Sequence, residues 1–462
     1  MTVRITKDIT ITKGDRTFKM AQTHDEVKDV GDFQQLTGET SLHGIRFVGN
    51  KDIATIRRCI WTVLLVSSLS MLGFAVYSSI TKYYQYNSSS AITTFPNDVI
   101  TFPAVTLCNY NQFRVSEMTE RENSFFFSDY MDPSFNFTPY NDINFTATLL
   151  RISHRIEDML INCSWQYRPC GPDDFSTKTY DLGVCYTFNG DSSNPLTTRN
   201  AGDTTGLILE IDINQTEYAY SANKAAGLKV LVHQQDEYPL VATFGFSVSP
   251  GFKTQVGLTG AQVVNLPHPY PSNCTSRALK YTKAYTETNC INECKYRYIT
   301  EICECKHPTM SADVRDCTIE ESIRCAFEEE VNFYNSGTKC DCPIACEQTF
   351  YNNRISTSYW PANYVLGDYL DKTGYTTKED IRENLLQLQI YFEEMNFQVV
   401  TEVPTFSKLQ LLSEIGGNMG LLCGMSLITI IEFLEFGFLA AIFRYFRFGN
   451  KSNNAVDITS TK

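Results

Sequence analysis

The sequence predicts a membrane protein with two membrane-spanning helices and, between them, one large disulfide-rich extracellular domain of mixed helices and strands (α+β). Three observations predict this fold class. Two apolar stretches lie near the two ends of the 462-residue chain, most cysteines lie between them, and the region between them contains several acceptor sequences for asparagine-linked sugars. Sixteen cysteines are too many for an ordinary reduced cytosolic protein. The formal net charge of -13 argues against nucleic acid as a partner and favours small cations or basic ligands.

The first span is predicted from the uncharged stretch CIWTVLLVSSLSMLGFAVYSSI, residues 59–80. It has about the 20 apolar residues that a helix needs to cross a bilayer, and we assign the helix to residues 57–80. The polar start, MTVRITKDIT, lacks the apolar core of a cleaved signal peptide. We therefore expect this internal span to insert the chain, with residues 1–56 before it.

The second span is predicted as one helix over residues 409–443, which is longer than one straight crossing requires. Basic residues precede the first span and follow the second: Arg46, Lys51, Arg57, Arg58, Arg444, Arg447 and Lys451. The positive-inside rule then places both termini, including a tail at residues 444–462, in the cytoplasm. Residues 81–408 are expected outside the cell, in a multi-pass protein of the plasma membrane.

The cysteines of the middle region predict a disulfide framework. Fourteen of the sixteen lie between the two spans, an even number as such a framework requires. Their spacing from Cys274 to Cys346 is nearly symmetric, which suggests nested bridges along an antiparallel pair. A zinc site on the pairs Cys303-x-Cys305 and Cys340-x-Cys342 is the alternative, disfavoured by the oxidising compartment and by the scarcity of histidine. Sugar attachment is expected at Asn87, Asn136, Asn144, Asn162, Asn214 and Asn273.

Short patterns predict the mixed fold of this region. GLILEIDI and LKVLVH alternate apolar and polar residues, which is typical of strands. KEDIRENLLQLQIYFEEMNFQVVTEV indicates a short helix followed by a long strand, and TIEESIRCAFEEEVNFY has helical spacing.

The second apolar stretch is not an ordinary anchor. Gly416, Gly420 and Gly424 lie four residues apart on one helix face, where they permit close approach of neighbouring helices. Glu432 and Glu435 share a face at membrane depth, where a carboxylate is costly unless it faces water or a partner. The simpler explanations are ordinary helix packing for the glycines and snorkelling to the cytoplasmic interface for the acids.

A cation pathway accounts for these features together. Glu414 lies at the opposite end of the apolar stretch from Glu432 and Glu435, so acids flank both mouths. Between them, Ser426 offers hydroxyl and backbone oxygens that suit a permeating cation. Because one helix cannot enclose a pore, we expect an oligomer.

Four stretches, in this order, resemble the degenerin/epithelial sodium channel superfamily, close to its acid-sensing ion channel branch. They are SLHGIRFV (41–48), TFPAVTLCNYNQFR (101–114), QDEYPLVATFGFSVSPGFKT (235–254) and GGNMGLLCGMSLITIIEFLE (416–435). The resemblance implies an amiloride-sensitive, sodium-permeable channel that is a homotrimer or a heterotrimer with related subunits. Its ectodomain would be built like a hand, with palm, thumb, finger, knuckle and β-ball. It implies no cofactor and no structural metal, but permeant sodium ions and modulation by extracellular calcium.

The resemblance also implies roles for individual residues in the pore. His43 and Gly44 match a cytoplasmic His-Gly motif that affects gating and lines the lower pore. Gly424, Met425 and Ser426 fall on a Gly-x-Ser selectivity filter, with methionine where a small residue is usual. The pore and gate positions that it implies are Ser413, Glu414, Gly417, Gly420, Glu432 and Glu435. Ser413 stands where the family has a glycine associated with gating and amiloride block.

Seven disulfides are implied by the same resemblance. They are Cys108–Cys185, Cys163–Cys170, Cys274–Cys346, Cys290–Cys342, Cys294–Cys340, Cys303–Cys325 and Cys305–Cys317. Together they use all fourteen cysteines between the spans.

The resemblance places the sensing of an extracellular stimulus on two acidic groups, Asp236 with Glu237 and the thumb residues Glu328, Glu329 and Glu330. Carboxylates that share a site repel one another when ionised, so such a cluster can titrate above its usual range. Two other positions depart from the acid-sensing branch. Gln398 replaces a palm glutamate and Tyr270 replaces a wrist tryptophan, which favours a small amidated neuropeptide over protons as the stimulus, as in invertebrate members.

Four other functions were weighed against a ligand-gated channel. A purinergic receptor shares the two spans but not the motifs, and a non-conducting two-pass receptor or adhesion protein has no need of the glycines and acids. A constitutively open or bile-acid-sensitive sodium channel of the same family stays open as an alternative. An enzyme is disfavoured, because the sequence has no phosphate loop, metal-spaced histidine pair or nucleophile elbow.

Overall fold

A computed structural model describes residues 40–50, 52–126, 128, 131–220, 223–337 and 339–438. Contacts divide the chain into two compact units. The larger is Ser88–Pro404, and the smaller is formed by the described residues on either side of it. The predicted cytoplasmic tail with its basic residues, most of the predicted N-terminal segment and Lys51 lie outside the described residues.

The helices, in chain order, are α1 (Ile45–Gly49), α2 (Thr55–Tyr84), α3 (Glu120–Phe126), α4 (Phe145–Ile152), α5 (Ile156–Met159), α6 (Val241–Phe244), α7 (Glu287–Cys303), α8 (Ile319–Glu321), α9 (Glu328–Asn335), α10 (Leu366–Thr373), α11 (Lys378–Asn384), α12 (Lys408–Cys423) and α13 (Leu427–Phe438). A π-helical turn, Ser322–Phe327, joins α8 to α9.

The strands are β1 (Ser88–Pro96), β2 (Ile100–Thr101), β3 (Ala104–Asn109), β4 (Leu160–Trp165), β5 (Arg168–Pro169), β6 (Phe175–Tyr180), β7 (Gly183–Phe188), β8 (Thr197–Thr198), β9 (Leu207–Asp212), β10 (Leu228–His233), β11 (Phe246–Val248), β12 (Phe252–Val264), β13 (Glu347–Tyr359) and β14 (Leu385–Pro404). The strands predicted from GLILEIDI and LKVLVH are β9 and β10, and the predicted helix followed by a long strand is α11 with β14. These predictions are confirmed.

Two sheets of the larger unit share one apolar core. The larger sheet has the order β13-β12-β14-β9-β4-β5 with β1 also on β14, and the smaller has the order β11-β10-β3-β7-β6. Fully buried side chains of the core come from both sheets, among them Leu107, Val230, Leu209, Leu258 and Ile390. Along β10, Leu228, Val230 and Val232 are buried while Lys229 and Leu231 are half-buried, which explains the alternation of its sequence, whereas every residue of β3 is buried.

The long strand β14 pairs with three other strands of this unit. It pairs in parallel with β12, antiparallel with β9 through its first residues, and antiparallel with β1 through its last. Ser88 is opposite Pro404 in this last ladder. The two strands that continue in sequence into α2 and α12 are therefore hydrogen-bonded neighbours.

The predicted helical stretch TIEESIRCAFEEEVNFY is confirmed, with one difference. It begins at a capping box, because the Thr318 hydroxyl accepts from the Glu321 N–H at 3.2 Å and the Glu321 carboxylate accepts from the Thr318 N–H at 2.9 Å. Its middle, Ser322–Phe327, is π-helical rather than α-helical. That turn contains Cys325, which is bonded to Cys303 at the end of α7.

All seven disulfides implied by the family resemblance are present, including the nested set along α7. The partner of α7 in the nested set is an irregular stretch, residues 340–344, that runs antiparallel to the helix. The zinc alternative is wrong, because Cys303, Cys305, Cys340 and Cys342 are all oxidised in disulfides and offer no thiolate. Of the predicted sugar acceptors, Asn214 is half-buried and the other five are exposed.

The smaller unit contains the two predicted spans. Within the described residues, α2 is long and apolar enough to cross a membrane, whereas α12 and α13 meet that test only as a pair bent by 76°. The second predicted span is therefore broken in the middle rather than continuous. Leu42, Leu72 and Cys423 are buried where α2 packs against α12.

Candidate ion pathway and ligand site

The break in the second span lies on the predicted filter motif. Helix α12 ends because Gly424 adopts a left-handed conformation, with φ 63°, which glycine reaches without steric cost. The N–H of Gly424 donates to the carbonyl of Gly420 at 3.0 Å, and the N–H of Met425 donates to that of Met419 at 3.2 Å. These bonds close the last turn of α12 and turn the chain away from its axis.

Ser426 starts the next helix by a reciprocal cap. Its N–H donates to the hydroxyl oxygen of Thr429 at 3.0 Å, and its own hydroxyl accepts from the Thr429 N–H at 3.4 Å. Thr429 is fully buried, whereas Ser426 is exposed. The Gly-Met-Ser sequence thus combines a helix stop with a helix start, and this pairing is the local reason for the bend.

The predicted His-Gly motif lies against the break. The N–H of His43 donates to the carbonyl of Cys423 at 3.0 Å, and the His43 ring occupies the space that a side chain at Gly424 would need. Gly44 has φ 86°, and a β-carbon there would lie 3.2 Å from the Trp61 ring. Both glycines are therefore required for the close approach of these segments.

Among the acids of the second predicted span, Glu432 accepts the most hydrogen bonds. Its carboxylate accepts from the Ser41 N–H at 3.2 Å, from the Ser41 hydroxyl at 3.3 Å and from the Thr40 hydroxyl at 3.4 Å. The Ser41 hydroxyl is also 2.5 Å from that of Thr429. Sequence reasoning missed Thr40, Ser41 and Thr429. Their position beside the His-Gly motif and the predicted filter motif was the only signal in the sequence that could have indicated them.

The other predicted acids differ in their surroundings. Glu435 is exposed within the chain, one turn beyond Glu432. Glu414, at the opposite end of α12, accepts from the buried Ser79 hydroxyl of α2 at 2.6 Å. A hydrogen bond between the two spans thus holds Glu414, while the neighbouring Ser413 is exposed.

Of the three glycines predicted to share one helix face, Gly424 instead ends α12 and meets the His43 ring, whereas the glycines within α12 are open. A β-carbon at Gly416 or Gly417 would meet no described atom within 4 Å, and at Gly420 only a backbone oxygen at 4.0 Å. Large apolar side chains of the same unit are also exposed, with Leu421 at 85% and Phe74 at 74%. Such surface is expected to be covered by lipid or by neighbouring helices.

The side chain of Met425 packs within the smaller unit. It is half-buried and packs with the cluster around Leu42, Leu72 and Cys423. The unusual size of this residue is therefore accommodated between the first span and the His-Gly segment.

Asp236 and Glu237, which were predicted to sense the extracellular stimulus, line a cavity of about 450 Å³ in the larger unit. Asp236 lies 3.9 Å from the Lys283 Nζ, and Lys178 lines the same cavity. Glu237 is half-buried, and its burial raises the pKa of its carboxyl to about 7. The site thus contains both signs of charge and one acid that titrates near neutral pH.

The thumb acids do not share that cavity. Glu330 forms an ion pair of 2.6 Å with the largely buried Lys295, and the two line a neighbouring cavity of about 320 Å³. Glu329 accepts from the Tyr298 hydroxyl at 3.1 Å. Tyr238 lines both cavities. Asp236 and Glu237 thus line one cavity, and of the thumb acids Glu330 alone lines its neighbour, while Glu328 is exposed. Each cavity also contains a lysine.

Two other predicted positions lie in the larger unit. Gln398 is exposed on β14, opposite Thr94 of β1. Tyr270 lies in the loop that follows β12, where its N–H donates to the Pro267 carbonyl at 3.2 Å.

Comparison with known proteins gives one consistent answer. A family model described as amiloride-sensitive sodium channel matches residues 36–436. Acid-sensing ion channel 2 of Homo sapiens is 32% identical over 446 residues, covering 87% of this chain and 85% of that protein. Acid-sensing ion channel 1A of Danio rerio is 30% identical, covering 89% of each chain, and acid-sensing ion channel 1 of Gallus gallus is 29% identical, covering 91% and 86%.

Proposed function

Because this chain belongs to the amiloride-sensitive sodium channel family, we propose that it forms a sodium-permeable cation channel that an extracellular ligand opens. Membership of this family excludes a purinergic receptor, and because the family is one of ion channels, it also excludes an enzyme. Different features of the chain support the proposed assembly, the proposed filter and the proposed stimulus.

The broken second span is the observation that carries the proposal. The C-terminal end of a helix has a partial negative charge, and unwound backbone at such ends coordinates sodium in membrane proteins. Here α12 ends in the middle of an apolar stretch, with Gly424 as the stop and the exposed hydroxyl of Ser426 immediately after it. Carbonyl and hydroxyl oxygens at this depth suit a partly dehydrated cation.

A trimer of this chain, or of this chain with related subunits, would enclose the pathway. The open glycine face of α12 and the exposed apolar side chains of α2 and α13 support this assembly. Glycines that meet nothing inside one subunit permit close packing of helices from neighbouring subunits. We assign the inner mouth to Glu432 and Glu435, the outer mouth to Glu414, and both termini to the cytoplasm.

For the stimulus, we propose a small basic peptide that places a cationic group on Asp236 at the mouth of the larger cavity. The contact of Asp236 with Lys283 is long, at 3.9 Å, and Lys283 is largely exposed, so a ligand can displace it. Lysines in the same cavity reduce the net negative charge that the sequence indicated.

Proton activation is the second candidate, favoured by one observation. Burial raises the pKa of Glu237 to about 7, so a modest acidification from neutral pH protonates it. The relatives named as acid-sensing ion channels make this stimulus the natural comparison.

The test is to express this chain alone in oocytes and to record current while acid, amidated basic peptides and bile acids are applied in turn. The expected result is an amiloride-sensitive inward current carried by sodium and evoked by the peptides. Current on acid alone would assign the stimulus to protons, and current without any stimulus would indicate a constitutively open channel. Surface-expressed protein that conducts under none of these conditions, alone or with related subunits, would favour the non-conducting receptor.

A further inference from the structure

Glu402 lies near the end of β14, two residues before the strand ends at Pro404. One carboxylate oxygen, Oε1, accepts from the Ser88 hydroxyl at 2.5 Å. Ser88 opens β1 and is diagonal to Glu402 in the antiparallel ladder, within reach of a long side chain. This contact joins the first and the last strand of the larger unit.

The other oxygen, Oε2, binds a loop that belongs to neither strand. It accepts from the Leu266 N–H at 2.8 Å, and the Ser272 hydroxyl lies 2.5 Å from it. Ser272 also lies 2.7 Å from the Leu266 carbonyl, so its single proton is shared between two acceptors. We call residues 266–274 the wrist loop. Glu402 therefore holds β1, β14 and the wrist loop with one side chain.

The wrist loop connects two regions of the chain that the Glu402 contacts hold together. The loop follows β12 and ends at Cys274, whose disulfide to Cys346 closes its base. After Cys274 the chain continues into α7 and the disulfide-stapled helices. β14, in contrast, leads within four residues into α12, and β1 begins four residues after α2 ends. Glu402 thus lies where the stapled helical region and the strands that lead to the spans meet.

The carboxylate of Glu402 is held in its ionised form. Burial alone would raise its pKa, but the hydrogen bonds from Ser272, Ser88 and Leu266 outweigh burial and lower it below its usual range. A second acid of the same strand, Glu394, is exposed, and its carboxylate accepts from the nearby Asn396 amide at 3.2 Å. Glu394 therefore offers a matched control on β14.

We propose that Glu402 is a positioning residue for gating, which couples the wrist loop to the strands that continue into the two spans. The inference rests on the proposed channel function, because it assigns Glu402 to the path by which an extracellular stimulus reaches the pore. Glu402 itself contacts neither the ligand cavity nor the filter among the described residues.

The first arm of the test needs no channel activity. Amide hydrogen exchange is measured on purified, full-length wild type, Glu402→Ala, Glu402→Gln and Glu394→Ala. Exchange across residues 264–275 should be faster in Glu402→Ala and unchanged in Glu394→Ala. Glu402→Gln should stay close to wild type, because its amide oxygen can accept from Leu266 and Ser272 while its nitrogen donates to Ser88. Unchanged exchange in Glu402→Ala would overturn the proposal.

The second arm measures gating in the same variants. Glu402→Ala should shift the half-maximal stimulus concentration about fivefold or more, with unitary conductance and sodium-to-potassium ratio unchanged. Ser272→Ala should shift it in the same direction, and the double variant should add little to Glu402→Ala, because Glu402→Ala already removes the contact that Ser272 makes with this carboxylate. Loss of surface protein with unchanged potency in the remaining channels would reduce Glu402 to a structural role. Absence of current from wild type would contradict the proposed function, while the exchange arm still decides whether Glu402 holds the loop.

Discussion

The imidazole ring of His43 lies against Gly424 so closely that a β-carbon at Gly424 would overlap with it. The N–H of His43 donates to the carbonyl of Cys423, the residue that ends α12. The segment that precedes the first span thus contacts the segment that interrupts the second span. This relationship makes the size of residue 424 a direct probe of the filter.

We predict that Gly424→Ala abolishes the current or changes the sodium-to-potassium ratio while the protein still reaches the surface. The substitution would place a β-carbon inside the His43 ring and would strain the left-handed backbone by about 1–2 kcal/mol. Ser426→Leu, which removes the capping hydroxyl, should act in the same way. Reversal potentials in mixed sodium and potassium solutions provide the measurement.

The matched control is Gly73→Ala in α2, where a β-carbon would meet no described atom within 4 Å. It should leave the permeability ratio unchanged. Combining His43→Ala with Gly424→Ala should recover part of the current, because the overlap is removed while the backbone strain remains. Normal permeability ratios in both Gly424→Ala and Ser426→Leu would exclude this motif from the filter.

Met425→Ala should be milder than either filter variant. The Met425 side chain packs beside Leu42, Leu72 and Cys423, so truncation removes apolar contacts rather than a pore-lining group. A fully buried methionine truncated to alanine costs about 2–5 kcal/mol, and a half-buried one costs less. We expect reduced surface protein and an unchanged sodium-to-potassium ratio, measured by surface biotinylation and reversal potential. A changed ratio would mean that the side chain itself lines the pore.

Glu432→Ala should reduce current more than Glu435→Ala. Without the Glu432 carboxylate, the Ser41 N–H and the Thr40 hydroxyl lose this acceptor, and the Ser41 hydroxyl keeps only its contact with Thr429. Glu435, one turn away and exposed, provides the comparison. Peak current normalised to surface protein is the measurement. Equal losses in the two variants would show that charge at the inner mouth, rather than the bond to Ser41, determines the effect.

The sequence predicted four segments of the larger unit, because the pattern of each is encoded locally. Alternation predicted β9 and β10, and helical spacing predicted the stretch around Cys325. The disulfide pairing followed from the family resemblance rather than from spacing. The contacts of Glu402 could not be predicted from the sequence, because they depend on a side chain that joins Ser88 and Leu266, which lie in segments far apart in the chain.

The break in the second span could not be predicted from apolar periodicity. Glycine at position 424 is equally compatible with a packed helix face and with a left-handed stop, and only the His43 contact and the Ser426 cap distinguish the two. The acidic groups show the same limitation. Counting carboxylates predicted one negative cluster, whereas the fold pairs Glu330 with Lys295 and places Lys283 near Asp236.

Paired substitution of Cys303 and Cys325 should reduce surface trafficking more than single-channel conductance. This disulfide joins the end of α7 to the π-helical turn, and loss of a native bridge from a secreted domain typically costs about 2–5 kcal/mol. Surface biotinylation and patch recordings separate the two effects. Free thiols at these positions in the mature protein, found by peptide mapping, would contradict the assignment.

The raised pKa of Glu237 predicts that the stability of the folded protein depends on pH. Burial raises its pKa from 4.5 to about 7, so the folded protein keeps a proton that the unfolded chain releases between these values. The stability that this proton contributes is full below about pH 4.5 and is lost as the pH rises to about 7. Relative to Glu237→Gln, the melting temperature of wild type should therefore fall over that interval. Asp236→Asn is the control, and a difference that is flat with pH would contradict the prediction.

The proposed sodium pathway runs through the break between α12 and α13. The most direct test is the reversal potential of stimulus-evoked current in excised patches, recorded for wild type and Gly424→Ala at matched surface levels. We predict that the wild-type current is blocked by amiloride and reverses near the sodium equilibrium potential, and that Gly424→Ala abolishes it or shifts its reversal. A wild-type current that ignores the sodium gradient, or an identical reversal potential in Gly424→Ala, would contradict the claim.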